Sequence, residues 1–265
     1  MSLRSRVHVA ASAAATTAHR DQAIVVLVHG AMDRSASFGR AVRLLDDLPL
    51  VRYDRRGYGH STDIGIGDLE AHVADLIDVL GGRPSVVVGH SIGGVFALVA
   101  AQQQPDLILS VGTWEAPMPW APWWPASSAG GAALGAASQA VPDDGAAGDA
   151  AERFMRRMIG DDRWNRLPPA TRLARRVEGR ALLADLRSLQ RDGPPYDAGS
   201  LVPSVLAGYG TASAPHHQRA SEELAKAVAD GELMAVEGAE HGVHLSHPRD
   251  FAAFVRRAAA RGPAA

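Results

Sequence analysis

The sequence predicts an α/β protein with a mostly parallel, doubly wound sheet and an inserted helical cap. Three short β-branched runs carry this prediction, at residues 24–28, 85–88 and 107–111. Each run lacks the polar alternation of a half-exposed strand and is too short for a buried helix, so each is typical of a buried parallel strand. Helical patterns lie between the runs, at residues 69–80 and 94–104. Strands that alternate with helices form a parallel sheet covered by those helices.

The N-terminal region has some features of a secretory signal, since two arginines precede a small-residue run within residues 1–20. His8, Ser12 and Thr16 interrupt the apolar centre that such a signal needs. We therefore interpret residues 7–11 as an early strand. The chain has no cysteine, which is compatible with the cytosol, and we expect a cytoplasmic protein.

The middle of the chain, residues 116–199, contains no convincing strand and is predicted to be an inserted helical cap or lid. It starts with a proline-tryptophan stretch, continues as a loose alanine-glycine-serine tract to about residue 148, and then becomes helical. Leu182 and Leu186, for example, fall at helical spacing. The remaining residues, 1–115 and 200–265, are predicted to form the core domain.

The sheet is predicted to resume after the cap. Apolar runs at residues 202–207 and 233–236 are typical of two further strands. The chain then ends with an amphipathic helix at residues 248–261, which places Phe251 and Phe254 on one side.

Composition narrows the function classes. The 265 residues include 27 basic and 29 acidic side chains, and the formal net charge is −2. This balance gives no support to nucleic-acid binding, and no stretch approaches the ~20 apolar residues of a membrane span. The lack of cysteine excludes thiolate zinc sites and cysteine nucleophiles. A chain of this length buries enough surface, roughly 70 to 75%, for one core without disulfides.

Ser91 is the strongest candidate for a catalytic residue. It lies in Gly89-His90-Ser91-Ile92-Gly93, between a β-branched run and a small-residue helix. Glycine on both sides allows a sharp strand-to-helix turn that exposes the serine hydroxyl. The same turn directs the Ile92 N–H toward any oxyanion formed there. The alternative is a glycine-rich turn with an incidental serine.

His241 is the candidate base, because a serine hydroxyl needs a neighbouring imidazole to remove its proton. It follows a short apolar run and precedes the final helix. His244 and His247 follow at intervals of three, so a metal-binding face, or His244 as the base, are alternatives. No carboxylate or cysteine motif accompanies them, and we expect no metal. Three other histidines are interpreted as surface residues: His72, His216 and His217.

The first buried run ends in His29-Gly30-Ala31-Met32, where an open parallel sheet places its ligand crevice. Gly30 permits a close backbone approach, and the Ala31 N–H is predicted to be the second oxyanion donor. A simple strand-ending turn is the alternative.

Together these segments resemble the α/β-hydrolase-fold serine hydrolases. The resemblance rests on His29-Gly30, on Tyr-Asp-Arg-Arg-Gly-Tyr-Gly-His-Ser at residues 53–61, on residues 89–93 and on Gly-Ala-Glu-His at residues 238–241. These motifs occur in the family's order and cover the predicted core, not the cap. The resemblance implies the fold, a serine-histidine-acid triad and no cofactor, and says almost nothing about the substrate.

The acid of the triad departs from the family's pattern. In most relatives it is an aspartate after the strand that corresponds to residues 202–207, but no carboxylate lies between Asp197 and Glu222. Glu115, which ends the 107–114 strand, is similar in position to the acid of some haloalkane dehalogenases, and we predict it as the acid. The alternatives are a glutamate that merely caps the strand, or another acid: Asp197, Glu237 or Glu240.

The resulting hypothesis is hydrolysis of a small, mostly apolar carboxylic ester through an acyl-enzyme. Dehalogenases use an aspartate nucleophile, whereas Ser91 implies acyl transfer. Alternatives with the same triad are a C–C bond hydrolase, a lactonase, a perhydrolase or a lyase, and a further one is a ligand-binding receptor without turnover. The chain is compatible with a monomer or a homodimer. Five side chains are predicted to line the substrate pocket or to pack the cap: Met32, Trp114, Trp120, Trp123 and Trp124.

Overall fold

A seven-stranded sheet forms the centre of the protein in the computed structural model, which describes residues 6–138 and 144–262. The strands are Val9–Ala11 (β1), Ile24–Val28 (β2), Leu50–Tyr53 (β3), Ser85–His90 (β4), Ile108–Trp114 (β5), Ser204–Gly210 (β6) and Gly231–Val236 (β7). Their order is β1-β3-β2-β4-β5-β6-β7. Within the described ranges only β1 runs antiparallel to its neighbour. The predicted α/β fold with a mostly parallel sheet is confirmed.

Helices cover both faces of the sheet. They are Ala13–Thr17 (α1), Gly39–Val42 (α2), Leu69–Leu80 (α3), Ile92–Gln103 (α4), Ala129–Ser138 (α5), Asp144–Ile159 (α6), Asp161–Arg166 (α7), Pro169–Val177 (α8), Gly179–Ser188 (α9), Pro215–Ala227 (α10), Val243–Ser246 (α11) and Pro248–Ala260 (α12). Among the described residues, none of these helices has the length and apolar character needed to cross a membrane.

Burial on both faces explains why the central strands are uninterrupted apolar runs. Successive side chains of a strand point to opposite faces. In β4, Val87 packs with the helices α3 and α4, whereas Val86 and Val88 pack with α2 and α12. All five residues of β2 are buried. Neither face needs polar residues, so the alternation that marks a half-exposed strand is missing.

The strand order brings four strand ends together. The chain leaves β2 toward β3 on one side and returns to β4 on the other, so the order reverses between β2 and β4. Ligands of open parallel sheets bind at such a point, beyond the carboxyl ends of the strands. The ends of β5 and β6 follow next in the sheet.

The N-terminal strand is short and lies at one edge of the sheet. β1 pairs with β3, with Val9 opposite Tyr53. The predicted strand at 7–11 is therefore present in its last three residues. Residues 1–5, which belong to the region compared with a secretory signal, lie outside the described residues.

Five helices, α5 to α9, lie between β5 and β6, in the range predicted as the cap. The expectation of a loose tract to residue 148 is wrong where α5 and the first five residues of α6 form helices within it. Alanine favours helices, and small residues let helices approach closely. A Cβ on Gly179 of α9 would lie 2.1 Å from the Ala147 carbonyl oxygen of α6. Residues 139–143 of the tract lie outside the described residues.

A fully buried ion pair joins the helix α9 to the core. Arg55, in the turn after β3, donates to Asp185 with an Nη2–Oδ2 distance of 2.7 Å, and both side chains are completely buried. The Tyr58 hydroxyl also donates to Asp185, at 2.7 Å. His72 lies 2.8 Å from the same carboxylate and stacks on Phe96. The interpretation of His72 as a surface residue is wrong, because α3 turns this residue toward the core.

We expect Asp185→Ala to destabilise the protein strongly. The substitution leaves the Arg55 guanidinium buried without its carboxylate partner, and breaking such a pair costs about 3–5 kcal/mol of unfolding free energy. Urea denaturation at neutral pH measures the loss. The control is Asp47→Ala, which removes the exposed pair with Arg256 and should leave the midpoint unchanged. Equal effects of the two substitutions would contradict the anchoring role of Asp185.

Candidate active site

Ser91 lies at a strained turn between β4 and α4. Its backbone has φ 54° and ψ −129°, a conformation that residues other than glycine rarely adopt. The Ser91 N–H donates to the Trp114 carbonyl on the neighbouring strand β5, at 2.8 Å. This hydrogen bond ties the turn to the sheet. Strain of this kind is typical of functional sites, where it holds a reactive side chain in a fixed position.

The glycines around Ser91 are required by close backbone contacts. A Cβ on Gly89 would lie 2.3 Å from the Gly93 carbonyl oxygen, and one on Gly93 would lie 2.4 Å from the Val28 carbonyl oxygen. Gly30, which follows the neighbouring strand β2, is also needed for close packing, because a Cβ added to it would lie 3.0 Å from the Ser91 Cβ. The backbone after β2 can therefore lie against the turn that carries the serine.

Glu115 contacts His241. Its Oε2 lies 2.7 Å from His241 Nδ1, and its Oε1 accepts the Gly210 N–H at 2.9 Å. The Glu115 side chain is completely buried and its backbone φ is 49°, so the strand end holds it in an uncommon conformation. The structure thus brings together the two residues that the sequence predicts as acid and base.

The other predicted acids lie elsewhere. Glu237 and Glu240 are exposed. Asp197 accepts the Gly199 N–H in a turn before β6. At the end of β6, where most relatives of the resembled family carry the acid, Gly210 offers an amide to Glu115 instead. A Cβ on Gly210 would lie 2.0 Å from the Ala239 carbonyl oxygen, so this backbone admits no larger residue there.

Burial tunes His241 toward the neutral form. Burial, with smaller effects from His244 and His216, lowers the pKa of His241 to about 4. A neutral ring that donates from Nδ1 to Glu115 keeps an unprotonated Nε2, which is the atom that a general base needs. The His217 ring stacks on His241 with centroids 4.5 Å apart, and burial lowers the pKa of His217 to about 2.

A cavity of about 430 Å³ opens on Ser91 and His241. Ala31 and Ile92, the predicted oxyanion donors, line it as well. Ile92 is the first residue of α4, where a backbone N–H has no partner within the helix. The other lining residues are mostly apolar and come from the segment before α5 and from α5, α6 and α9, with His217: Pro117, Pro119, Trp124, Pro125, Ala126, Ser128, Ala129, Gly130, Gly131, Leu134, Gly135, Phe154, Met158, Leu186, Leu189, Gln190 and His217.

Four of the five predicted pocket residues lie away from this cavity, and only Trp124 lines it. Trp114 packs on Phe254 of α12, because its place in β5 directs it to the opposite sheet face. Met32 is buried in a cluster with Tyr58 of the core and with residues of the cap range. These predictions are wrong because distance along the chain does not reveal which way a side chain points.

The two remaining tryptophans pack beside α10. Trp120 contacts Tyr196 edge to face in a separate surface groove. Trp123 donates its Nε1–H to Glu223 at 3.1 Å. Both side chains lie outside the cavity lining, so they fit the alternative that these tryptophans pack the cap onto the core.

Histidines dominate the surroundings of His241. The interpretation of His217 as a surface residue is wrong, since it stacks on His241 and lines the cavity. His216 is partly buried and contacts Trp124. His244 is buried in α11, whereas His247 is partly exposed. The sequence contained no periodic signal for these contacts, because they join separate loops.

Two groups of described residues place potential metal-ligand atoms within 4.8 Å of one another. One group consists of Asp33, His90 and His244, and the other of Glu115, His217 and His241. The alternative of a metal-binding face at His241, His244 and His247 does not form, since these histidines have different neighbours.

Comparisons with known proteins support the fold over nearly the whole chain. A thermophilic esterase from Thermogutta terrifontis superimposes with a TM-score of 0.71 at 18% identity, covering 95% of this chain and 92% of the esterase. An enol-lactonase from Burkholderia xenovorans superimposes with a TM-score of 0.69 at 20% identity, covering 96% of both chains. At these identities the similarity shows the fold alone.

Sequence comparison identifies the family. Lipase LipV from Mycobacterium tuberculosis is 33% identical over 90 residues, which are 33% of this chain and 34% of the lipase. The chain therefore matches about a third of that relative's length. A family model described as the alpha/beta hydrolase family matches residues 25–254. The chain belongs to the alpha/beta hydrolase family.

Proposed function

We propose that the protein hydrolyses a small, mostly apolar carboxylic ester with Ser91 as nucleophile, His241 as base and Glu115 as the acid of the triad. The observation that carries the proposal is the 2.7 Å contact between Glu115 and His241, at a cavity that also exposes Ser91. A serine at a strained turn, a partly buried neutral imidazole and a carboxylate on its Nδ1 are the parts of an acyl-transfer site.

The reaction begins when Ser91 Oγ attacks the ester carbonyl carbon. The hydroxyl proton passes to His241 Nε2, and the carbonyl oxygen becomes an oxyanion. Collapse of this intermediate breaks the bond to the alcohol, which leaves with the proton from His241. Glu115 stabilises the imidazolium that exists between these two transfers and keeps the ring in the tautomer with hydrogen on Nδ1.

The backbone N–H groups of Ala31 and Ile92 serve as oxyanion donors in this proposal. Both residues line the cavity beside Ser91, and Ile92 belongs to the N-terminal turn of α4, where the helix dipole favours negative charge. Water then attacks the acyl-enzyme while His241 takes its proton, which releases the carboxylic acid and restores Ser91.

The cavity supports the choice of substrate class. Its volume of about 430 Å³ lies at the small end of ligand sites, and most of its lining side chains are apolar. Leu134, Phe154 and Met158 can contact an acyl or alcohol chain, whereas no arginine or lysine is present among its described lining residues. An uncharged, apolar ester fits this lining better than an anionic substrate.

We expect Ser91→Ala to lower kcat for short p-nitrophenyl esters by about 10³-fold or more, because the acyl-enzyme can no longer form. Stopped assays with purified protein measure the rate, and a fluorophosphonate probe should label the parental protein alone. Ser200→Ala, in an exposed turn, is the control. A parental protein that neither turns over esters nor reacts with the probe would instead favour a ligand-binding role.

We expect Glu115→Gln to lower kcat by about 10²–10⁴-fold while the fold persists. The glutamine oxygen can still accept the Gly210 N–H, but its amide then donates to His241 Nδ1. The ring proton is forced to Nε2, so the base cannot accept the serine proton. Glu240→Gln, an exposed neighbour of His241, is the matched control. A larger loss of kcat in Glu240→Gln than in Glu115→Gln would refute the assignment of Glu115 as the acid.

We expect Gly135→Phe to select against long acyl chains. Gly135 lines the cavity, and a Cβ there has no described atom within 4 Å, so a ring can extend into the space. In a series of p-nitrophenyl esters from acetate to octanoate, KM should rise about 10-fold for the longest esters and stay near the parental value for acetate. Gly135→Ala is the control. An equal rise in KM for esters of every length would argue against binding of the acyl chain beside residue 135.

A further inference from the structure

Beside the proposed base, three side chains converge that ester hydrolysis does not use: Asp33, His90 and His244. Asp33 follows β2, His90 immediately precedes Ser91, and His244 lies in α11. The atoms Asp33 Oδ2, His90 Nδ1 and His244 Nε2 all lie within 4.8 Å of one another. They come from three separate segments, so the tertiary fold creates the cluster.

The atoms that face one another lack hydrogen-bond partners among the described residues. Asp33 Oδ2 lies 3.1 Å from His244 Nε2 and 3.9 Å from His90 Nδ1, yet no hydrogen bond of acceptable geometry joins them. The side chains of His244 and His90 are only 2% and 7% exposed. Buried polar atoms without hydrogen-bond partners are costly, and three of them around one point form a set of atoms that can bind a cation together.

The orientation of His90 suits a metal ligand. Its Nε2 lies 2.9 Å from the His241 carbonyl oxygen, which can only accept, so the ring proton lies on Nε2. His90 Nδ1 is therefore the atom with a free lone pair, and it points to Asp33 and His244. Histidines that bind metals commonly donate their other ring N–H to a backbone carbonyl in this way.

We propose that Asp33, His90 and His244 bind one zinc ion through Asp33 Oδ2, His90 Nδ1 and His244 Nε2. Two imidazole nitrogens and one carboxylate oxygen are ligands that zinc accepts. With bonds of about 2.0–2.2 Å, tetrahedral ligands lie about 3.4 Å apart, close to the 3.1 Å and 3.9 Å found here. Water can complete the coordination, since the Asp33 side chain is 17% exposed.

The ion joins the segments that carry the active site. Asp33 follows the Ala31 segment, His90 precedes Ser91, and His244 follows His241 by three residues. Zinc bound here joins α11, which belongs to no strand, to the end of β4 and to the segment after β2, so we assign it a structural role. The proposal is independent of ester hydrolysis and uses only one histidine of the His-x-x-His-x-x-His pattern.

The test measures zinc binding by the full-length protein after treatment with EDTA and dialysis. Competition with a chromophoric chelator should give one equivalent of tightly bound Zn²⁺, and Co²⁺ should give the visible bands of a tetrahedral site. With zinc at about 100 times Kd, the melting temperature should rise by about 5–10 °C. Failure to bind one equivalent would overturn the proposal.

Variants assign the ligands. His244→Gln and the isosteric Asp33→Asn should each weaken zinc binding by about 100-fold or more, and circular dichroism checks that each is folded. His247→Gln, a partly exposed histidine three residues from His244, is the control and should bind like the parent. Undiminished binding by the folded Asp33→Asn variant would refute the site, as would a loss confined to His217→Gln, which belongs to the other histidine group. The Ser91→Ala variant should bind zinc normally.

Discussion

The contact between Glu115 and His241 is the interaction on which the proposed site depends. The Glu115 side chain is fully buried, the His241 side chain is only 15% exposed, and the carboxylate has a defined partner for each oxygen. Burial disfavours a charged imidazole in the resting state, while the adjacent carboxylate stabilises that charge when it forms during a reaction. A neutral base that becomes charged only transiently therefore has an environment suited to both states.

Parallel strands make this contact possible between residues that are far apart in the chain. Glu115 and His241 are separated by 126 positions, but each follows a strand whose carboxyl end lies at the same edge of the sheet. Ser91 follows β4, the neighbour of β5. The sheet places Ser91 and Glu115 at the ends of adjacent strands, and the loop after β7 brings His241 past the end of β6 to Glu115.

The sequence predicts those features that depend on local patterns. Buried apolar runs, the helix at 69–80 and the glycine-flanked Ser91 all follow from residues within one short segment. Glu115 is predictable because its place at a strand end can be located without the tertiary structure. The direction of Trp114, the burial of His72 and the stacking of His217 arise from contacts between distant segments, which a single sequence does not reveal.

The position of the acid follows from backbone packing as much as from chemistry. At residue 210 a Cβ would lie 2.0 Å from the Ala239 carbonyl oxygen, so an aspartate there would displace the loop that leads to His241. Glycine at this position leaves an N–H that Glu115 accepts, and the longer glutamate side chain reaches His241 from β5. Glycine at the end of β6 and glutamate at the end of β5 form one coupled arrangement, in which each residue makes the other's conformation favourable.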